Sequence, residues 1–258
     1  MSELKVISYN VNGIRSAITK GFVNWLNDAS PDVICLQEIK IARKDFDPKP
    51  FEAIGYNTYI FPAVKPGYSG VAIFSKHKAD NIIEGTEKHE YDKEGRNIRM
   101  DIGDLSIMSA YFPSGTTGDE RQSVKMAYLD FFFDYVNELK KKRPKLLVCG
   151  DFNICHREID IHNPITNKDT SGFKPEERAW MEKYFNSGFI DTFRHFHPEP
   201  HQYSWWSFRA NARANNKGWR IDYIAATKNL EKNLVEAQMF QQVKHSDHCP
   251  VYCKLKVD

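Results

Sequence analysis

The chain has 258 residues, and its 36 lysines and arginines nearly balance its 34 aspartates and glutamates, for a net charge of +2. A length of roughly 250 residues suits one large α/β domain, so we expect residues 1–258 to form a single domain. The charge balance excludes polyanion binding driven by bulk positive charge, and no apolar run reaches the ~18 residues that span a bilayer. No apolar leader follows Met1, and the five cysteines form no Cys-x-x-Cys pair, which is typical of a reduced cytosolic protein.

Short apolar strands that end in polar residues dominate the first half of the chain. Strands are predicted over residues 4–9, 32–38, 56–61, 71–74, 98–100 and 105–112, with an amphipathic helix after the first. Asn10, Asn12, Glu38 and Tyr111 lie at the ends of these apolar runs. The segment 65–70 is a glycine-rich loop, and because no helix follows it, a hairpin connection is favoured over a phosphate-binding loop.

The second half repeats the order of strand, polar tip and helix. Helices are predicted over residues 121–142 and 176–185, and strands over 145–149, 219–224, 234–241 and 251–255. Beyond Gly150, Asp151 and Asn153 point the same way, because alternate residues of an extended chain share a face. For this motif alone, a plain strand end that caps a helix is an equal alternative. Together the elements predict an α/β fold, a sandwich of two sheets with helices outside.

Nine polar residues are predicted at the strand tips: Asn10, Asn12, Glu38, Tyr111, Asp151, Asn153, Asp222, Asp247 and His248. Carboxylate and amide oxygens suit a hard divalent ion such as Mg²⁺, with Mn²⁺ as a substitute. The chain has no lysine-bearing phosphate loop and no clear serine or cysteine nucleophile beside a base. Attack of activated water on a phosphoester is therefore the simplest chemistry, although a buried His-Asp pair by itself is often structural.

Six short motifs extend over nearly the whole chain: Asn10-Val11-Asn12-Gly13, Leu36-Gln37-Glu38, Gly67-Tyr68-Ser69-Gly70, Gly150-Asp151-Phe152-Asn153, Trp219-Arg220-Ile221-Asp222-Tyr223 and Ser246-Asp247-His248-x-Pro250. In this order they resemble the exonuclease III family of apurinic/apyrimidinic endonucleases, within the wider endonuclease/exonuclease/phosphatase superfamily. Residues 159–164 and 172–178 look like the DNA-repair branch. The resemblance implies a four-layered α/β sandwich, with two mixed β-sheets packed face to face and the site at one edge.

The resemblance also implies an activity. It is that of a Mg²⁺-dependent endonuclease of base excision repair, which cuts the DNA backbone 5′ to an abasic site and leaves a 3′-hydroxyl and a 5′-deoxyribose phosphate. A 3′-end enzyme, either a 3′-phosphatase or phosphodiesterase or a 3′-to-5′ exonuclease, is the close alternative, since the same water attack serves it. A non-catalytic DNA-binding relative is a third possibility.

By the same resemblance, Glu38 is the principal metal ligand, with Asn12 and Asp247 nearby. Asp151 would activate the water and Asn153 would orient it, both beside the metal. One departure concerns this site: some relatives carry Asp where this chain has Asn12, which removes a negative charge.

The resemblance further assigns the groups that handle the phosphate. His248, held by Asp222, would act on the phosphate oxygen where negative charge builds up. Tyr111 and Asn10 would complete the phosphate grip, with Tyr111 assisting the departing oxygen. Near Tyr111, Ser114 stands where some relatives have Asn.

The implied partner is double-stranded DNA with abasic or damaged 3′ ends, bound by a monomer in the cytoplasm, or at the nucleoid if the cell is bacterial. Candidate phosphate contacts are Arg15, Lys20, Lys65, Tyr68 and Asn167, with Arg209 and Arg213 as further strand contacts. Trp205, Phe208 and Trp219 are candidates for a pocket that accepts a bare sugar, whereas Trp206 suits the core. For each aromatic, core packing is the more common role.

Overall fold

The computed structural model describes residues 2–257, so Met1 and Asp258, the ends of the predicted domain, lie outside the described residues. The strands are β1 Ser2–Asn10, β2 Val33–Gln37, β3 Asn57–Phe61, β4 Val71–Ser75, β5 Asn81–Glu84, β6 Asn97–Ile102, β7 Leu105–Tyr111, β8 Lys145–Asp151, β9 Phe189–Asp191, β10 Asp222–Thr227, β11 Leu234–Met239 and β12 Val251–Val257. The α-helices are α1 Ile14–Thr19, α2 Phe22–Ala29, α3 Lys49–Glu52, α4 His89–Asp92, α5 Asp119–Lys142, α6 Pro164–Asn167, α7 Pro175–Asn186 and α8 Thr192–Phe196.

The strands form two six-stranded sheets, in the orders β11-β12-β1-β2-β4-β3 and β5-β6-β7-β8-β10-β9. In each sheet one neighbouring pair is parallel, β1 with β2 and β7 with β8, and the remaining pairs are antiparallel. Both sheets are therefore mixed, which confirms the predicted architecture.

Both faces of each sheet are buried, so the fold has four layers: the two sheets in the middle and a layer with helices on the outer face of each sheet. Val6 faces the core between the sheets, whereas its neighbour Ile7 faces the layer that contains Phe22 of α2. On the second sheet, Val148 faces outward into a cluster with Phe132 of α5, and helix α7 joins the same cluster. Because both faces are covered, the strands are nearly continuous apolar runs, and this made them visible in the sequence.

The predicted elements differ from the structure mainly at short pieces. β10 begins at Asp222, three residues later than predicted, because Trp219 instead forms bridges with Trp205 and Ile161 outside the sheet. The elements β5, β9 and α8 were not predicted, since three to five residues are too few to show a hydrophobic period. No helix within residues 2–257 is both long and apolar enough to cross a membrane.

The polar residues at the strand ends lie along one edge of the sandwich. Strands β1, β2, β7 and β8 end there, while β4, β10 and β12 begin there. The register places Gln37 opposite Val71 in one sheet and Asp151 opposite Asp222 in the other. The loops that leave this edge therefore meet around one cleft, although they come from distant parts of the chain.

Candidate active site

Asn10 makes a direct contact between the two sheets at this edge. Its Nδ2 donates to Glu38 Oε1 at 2.8 Å and to Asp151 Oδ2 at 2.9 Å, and its Oδ1 accepts from the backbone N–H of Asn12 at 3.0 Å. Both N–H donors of the buried amide are thus used within the protein. Asn10 fixes two carboxylates from different sheets at a defined separation.

Three residues at this site, one of them the carboxylate Glu38, adopt the left-handed backbone region. The φ angles are 46° for Asn12, 52° for Glu38 and 53° for Asn153. Such angles are uncommon for residues other than glycine and cost on the order of 1 kcal/mol or more, and they cluster at functional sites. The sharp turns fold the chain back immediately after each strand. They keep the polar side chains inside the cleft.

Glu38, Asp151 and His248 each offer a ligand atom, and these atoms all lie within 4.8 Å of one another. Asp247 lies beside them, with Oδ1 accepting from Asn12 Nδ2 and Oδ2 from Trp205 Nε1, both at 2.9 Å. Carboxylate and amide oxygens outnumber nitrogen donors, which fits a hard divalent cation and not a soft metal. The residues predicted to bind the metal, Glu38, Asn12, Asp151, Asn153 and Asp247, therefore lie around one cleft, and His248, predicted to act on the phosphate, lies beside them.

A second buried chain of contacts crosses the site. His248 Nδ1 lies 2.8 Å from Asp222 Oδ2, and His248 Nε2 lies 3.9 Å from Asp151 Oδ2. Ser204 Oγ donates to Asp222 Oδ2 at 2.7 Å and thereby holds the carboxylate. Burial alone lowers the pKa of His248, but the Asp222 carboxylate outweighs it and raises the pKa to about 10. The imidazole is therefore a cation at neutral pH.

The pKa of Asp151 is raised as well, but for a carboxyl group this favours the neutral form. Burial, together with the negative charges of Asp222 and Glu38, raises the pKa of Asp151 to about 8. A carboxyl group held in this way is poised near neutral pH, and a cation bound beside it favours the ionised form. Burial and the charges of Glu38 and Asp151 also raise the pKa of Tyr111, so its hydroxyl stays protonated.

A cavity of about 340 Å³ opens beside these groups. Trp205 and Trp219 line it edge to face, with ring centroids 6.1 Å apart. Phe208 is 76% exposed and lies outside the cavity lining, whereas Trp206 is buried in the core as predicted. The remaining lining residues are Glu38, Tyr111, Ser114, Thr116, Asp151, Asn153, Thr170, Ser171, Gly172, Ile221, Asp247 and His248.

The candidate DNA contacts lie on loops and short helices around the same edge. Arg15 and Lys20 are exposed on and just after α1, and Lys20 Nζ also donates to the carbonyl of His245 at 3.2 Å. Lys65 is exposed and lies 5.5 Å from the ring centroid of Tyr68, which is half-buried.

On the second half of the edge, Asn167 is half-buried at the end of α6 and Arg209 is exposed. The guanidinium of Arg213 differs from these, because it donates to the backbone carbonyls of Ser246 and Gln241, each at 2.9 Å, and also to that of Val243. Arg213 is therefore committed to holding the loop before β12.

Several residues of the site were not predicted. Lys40 Nζ lies 2.9 Å from Glu38 Oε2 and also donates to Asn12, and its spacing of two residues from Glu38 is the signal that could have identified it. Arg96 is fully buried and donates to the backbone carbonyl of Tyr111 at 2.8 Å and to Tyr68 Oη at 3.1 Å. No local pattern in the sequence distinguishes Arg96 from a surface arginine.

A two-sheet sandwich with carboxylates, amides and a His-Asp pair at one edge defines a class of metal-dependent hydrolases that act on phosphate esters. The chain matches the endonuclease/exonuclease/phosphatase family over residues 7–248 and belongs to that family. It is 41% identical to the exodeoxyribonuclease of Bacillus subtilis, across 96% of this chain and 98% of that one. It is 35% identical to the DNA repair nuclease APEX1 of Danio rerio, across 99% of this chain and 83% of that one. An AP endonuclease structure from Archaeoglobus fulgidus superposes with a TM-score of 0.91 at 30% identity and covers 98% of this chain and 100% of its own.

Proposed function

We propose that the protein is a Mg²⁺-dependent AP endonuclease of base excision repair. It hydrolyses the DNA phosphodiester 5′ to an abasic site and leaves a 3′-hydroxyl and a 5′-deoxyribose phosphate. The observation that carries this proposal is the position of Asp151 and His248 in the lining of a cavity walled by two tryptophans. The relatives named for AP endonuclease and DNA repair support it.

In this proposal Glu38 and Asp151 would hold the Mg²⁺, for which Mn²⁺ can substitute, and Asn12, Asp247 and Asn153 would lie around it. When bound, the cation supplies Lewis-acid stabilisation of the phosphate and favours deprotonation of nearby water. Lys40 contributes a fixed positive charge beside Glu38.

Asp151 accepts the proton of the attacking water. Asn153 orients this water through Oδ1, because its Nδ2 donates to the carbonyl of Phe112 at 2.9 Å and its backbone N–H donates to Asp151 Oδ1. Asn10 was predicted to help grip the phosphate, but its amide hydrogen-bonds to Glu38, Asp151 and Asn12, so we assign it instead to positioning Asp151 for this step.

His248 donates from Nε2 to the phosphate oxygen on which negative charge develops. Its Nδ1 is paired with Asp222, which fixes the orientation of the ring and favours the imidazolium. Tyr111 donates its phenolic proton to the departing oxygen, and Arg96, which stacks on its ring at 5.2 Å, holds it in place.

The abasic sugar enters the cavity between Trp205 and Trp219, because a nucleotide that has no base to unpair or unstack is the least costly to flip out of the duplex. Phosphates of the double-stranded substrate contact Arg15, Lys20, Lys65, Tyr68, Asn167 and Arg209. The protein acts as a monomer, because one chain supplies every group of the site. Its DNA substrate and its five unpaired cysteines favour the cytoplasm, or the nucleoid if the cell is bacterial.

A duplex with one tetrahydrofuran abasic analogue and a 5′ label on the damaged strand tests this function. We expect one nick immediately 5′ to the analogue with Mg²⁺, no nick in EDTA, and none in the matched undamaged duplex. An intact abasic strand at enzyme excess over DNA would contradict the proposal.

A 3′-end enzyme remains the second candidate, favoured by the identity to an exodeoxyribonuclease. A nicked duplex with a 3′-phosphate, assayed beside the abasic duplex, separates the two functions. Faster turnover of the 3′-phosphate than of the abasic site would make end processing the main activity.

A further inference from the structure

A buried ion pair lies behind the proposed active site and has no part in the chemistry described above. Lys125 of α5 and Glu177 of α7 are both fully buried, with Lys125 Nζ and Glu177 Oε1 2.5 Å apart. Gln122 Nε2 donates to the same oxygen at 3.1 Å. A buried ion pair is weak evidence for stability, because desolvation of two charges offsets most of their attraction. Its other contacts point to a different role.

The ammonium of Lys125 makes a direct contact with the water-orienting residue. Lys125 Nζ donates to the backbone carbonyl of Asn153 at 2.9 Å. Asn153 has a φ of 53°, and a residue in this region keeps its conformation only where its surroundings impose it. The donor on the carbonyl side and the Asp151 carboxylate on the N–H side hold this residue from both ends.

The carboxylate of Glu177 reaches the wall of the cavity. Its Oε2 accepts from the backbone N–H groups of Gly172 at 2.6 Å and Lys174 at 2.9 Å. Gly172 lies so close to its neighbours that a Cβ there would be 2.9 Å from the ring of Trp219 and 3.1 Å from the carbonyl oxygen of Asn153. The same ion pair therefore fixes one wall of the sugar cavity and the residue that aims the water.

We infer that Lys125 and Glu177 are positioning residues that hold Asn153 and Gly172 in one rigid frame, so that the bound sugar and the attacking water keep a fixed relation. This inference rests on the proposed function of Asn153. A shift of about 1 Å in a catalytic arrangement costs roughly 100-fold in rate, and loss of supporting contacts around a site typically costs about 10- to 100-fold.

The test compares Lys125→Met with the double variant Lys125→Met/Glu177→Gln. The single variant leaves Glu177 charged and without its ammonium partner, so it loses both stability and rate. The double variant removes the unpaired charge and restores much of the stability, but it leaves the Asn153 carbonyl without its donor. Asp101→Asn is the matched control, because Asp101 is a buried acid paired with Arg99 at the opposite end of the second sheet.

We expect the double variant to nick the abasic duplex about 10- to 100-fold more slowly than wild type under single-turnover conditions, with its affinity for the duplex in EDTA changed less than about threefold. Asp101→Asn should lose stability and keep its rate. A double variant with the wild-type rate would overturn the inference, as would a rate that only follows melting temperature across the set. If wild type itself fails to nick the abasic duplex, the proposed function fails instead, and the two failures are thereby distinguished.

Discussion

β1 lies in the first sheet and β8 in the second. The ends of these strands, which we call the first tip (residues 10–12) and the second tip (residues 151–153), have the same backbone conformation and hydrogen bond. In the first sheet the N–H of Asn12 donates to Asn10 Oδ1 at 3.0 Å, and in the second the N–H of Asn153 donates to Asp151 Oδ1 at 2.8 Å. Asn12 and Asn153 are both left-handed, and each strand has one parallel neighbour in its sheet. The two motifs differ at their buried middle residue, Val11 or Phe152, and in polar chemistry only at the first residue, an amide at position 10 and a carboxylate at 151. The backbone is therefore alike at the two tips. The side chain at position 10 or 151 decides which tip can accept a proton, because the Asp151 carboxylate can and the Asn10 amide cannot.

The loops that follow the two tips also differ. After Asn12 the chain enters α1 at Ile14, whereas after Asn153 it runs through residues 154–174 before α7 begins. This longer loop supplies one wall of the cavity. It is held by Asp160, which is buried between Arg194 and Arg220; burial alone raises the pKa of Asp160, but the guanidinium groups lower it to about 2. The first tip is therefore only an anchor, and the second also builds the substrate pocket.

We expect the largest loss of activity from Asp151→Asn, which gives the second tip the same two polar residues as the first. Asp151→Asn leaves two Asn-x-Asn motifs, and neither tip then has a carboxylate to accept the proton of water. We expect the nicking rate on the abasic duplex to fall about 1,000-fold or more, because loss of a general base costs roughly 100- to 10,000-fold. The rate is measured under single turnover, with Asp104→Asn, an exposed acid at the far edge, as the control. A variant that retained a tenth of the rate would remove Asp151 from its assigned role.

Glu38, which follows β2 and accepts a hydrogen bond from Asn10 of the first tip, should govern metal affinity. Glu38→Gln removes the most accessible acid of the cluster, and we expect the Mg²⁺ concentration for half-maximal rate to rise about 100-fold. Lys40→Gln is the opposing control, since its ammonium lies 2.9 Å from Glu38 and competes with a cation for it. That variant should need less Mg²⁺. If both variants needed the same Mg²⁺ concentration as wild type, Glu38 would not be a ligand of the metal.

Sequence patterns predicted some, but not all, of the residues that form the site and support it. The apolar runs and their polar ends located Glu38, Asp151 and His248, because strands buried on both faces leave clear boundaries. The ion pair of Lys125 and Glu177 was not predicted, since charged residues on a helix are normally assigned to solvent. Such contacts depend on how α5 and α7 dock on the second sheet, which is a property of tertiary packing and leaves no local period in the sequence.

The smallest expected effect concerns a second contact between the two sheets, where His248, which precedes β12, pairs with Asp222 at the start of β10. The pKa of His248 is raised from 6.5 to about 10, so the imidazolium stabilises the folded state. This contribution is complete below about pH 6.5 and is lost as the pH rises through about 10. Between pH 7 and pH 9 we expect the metal-free protein to lose on the order of 2 kcal/mol of unfolding free energy from this pair. Urea titrations in EDTA at both pH values should show the loss in wild type and a smaller one in Asp222→Asn, whereas equal losses would mean that His248 is neutral in the folded protein.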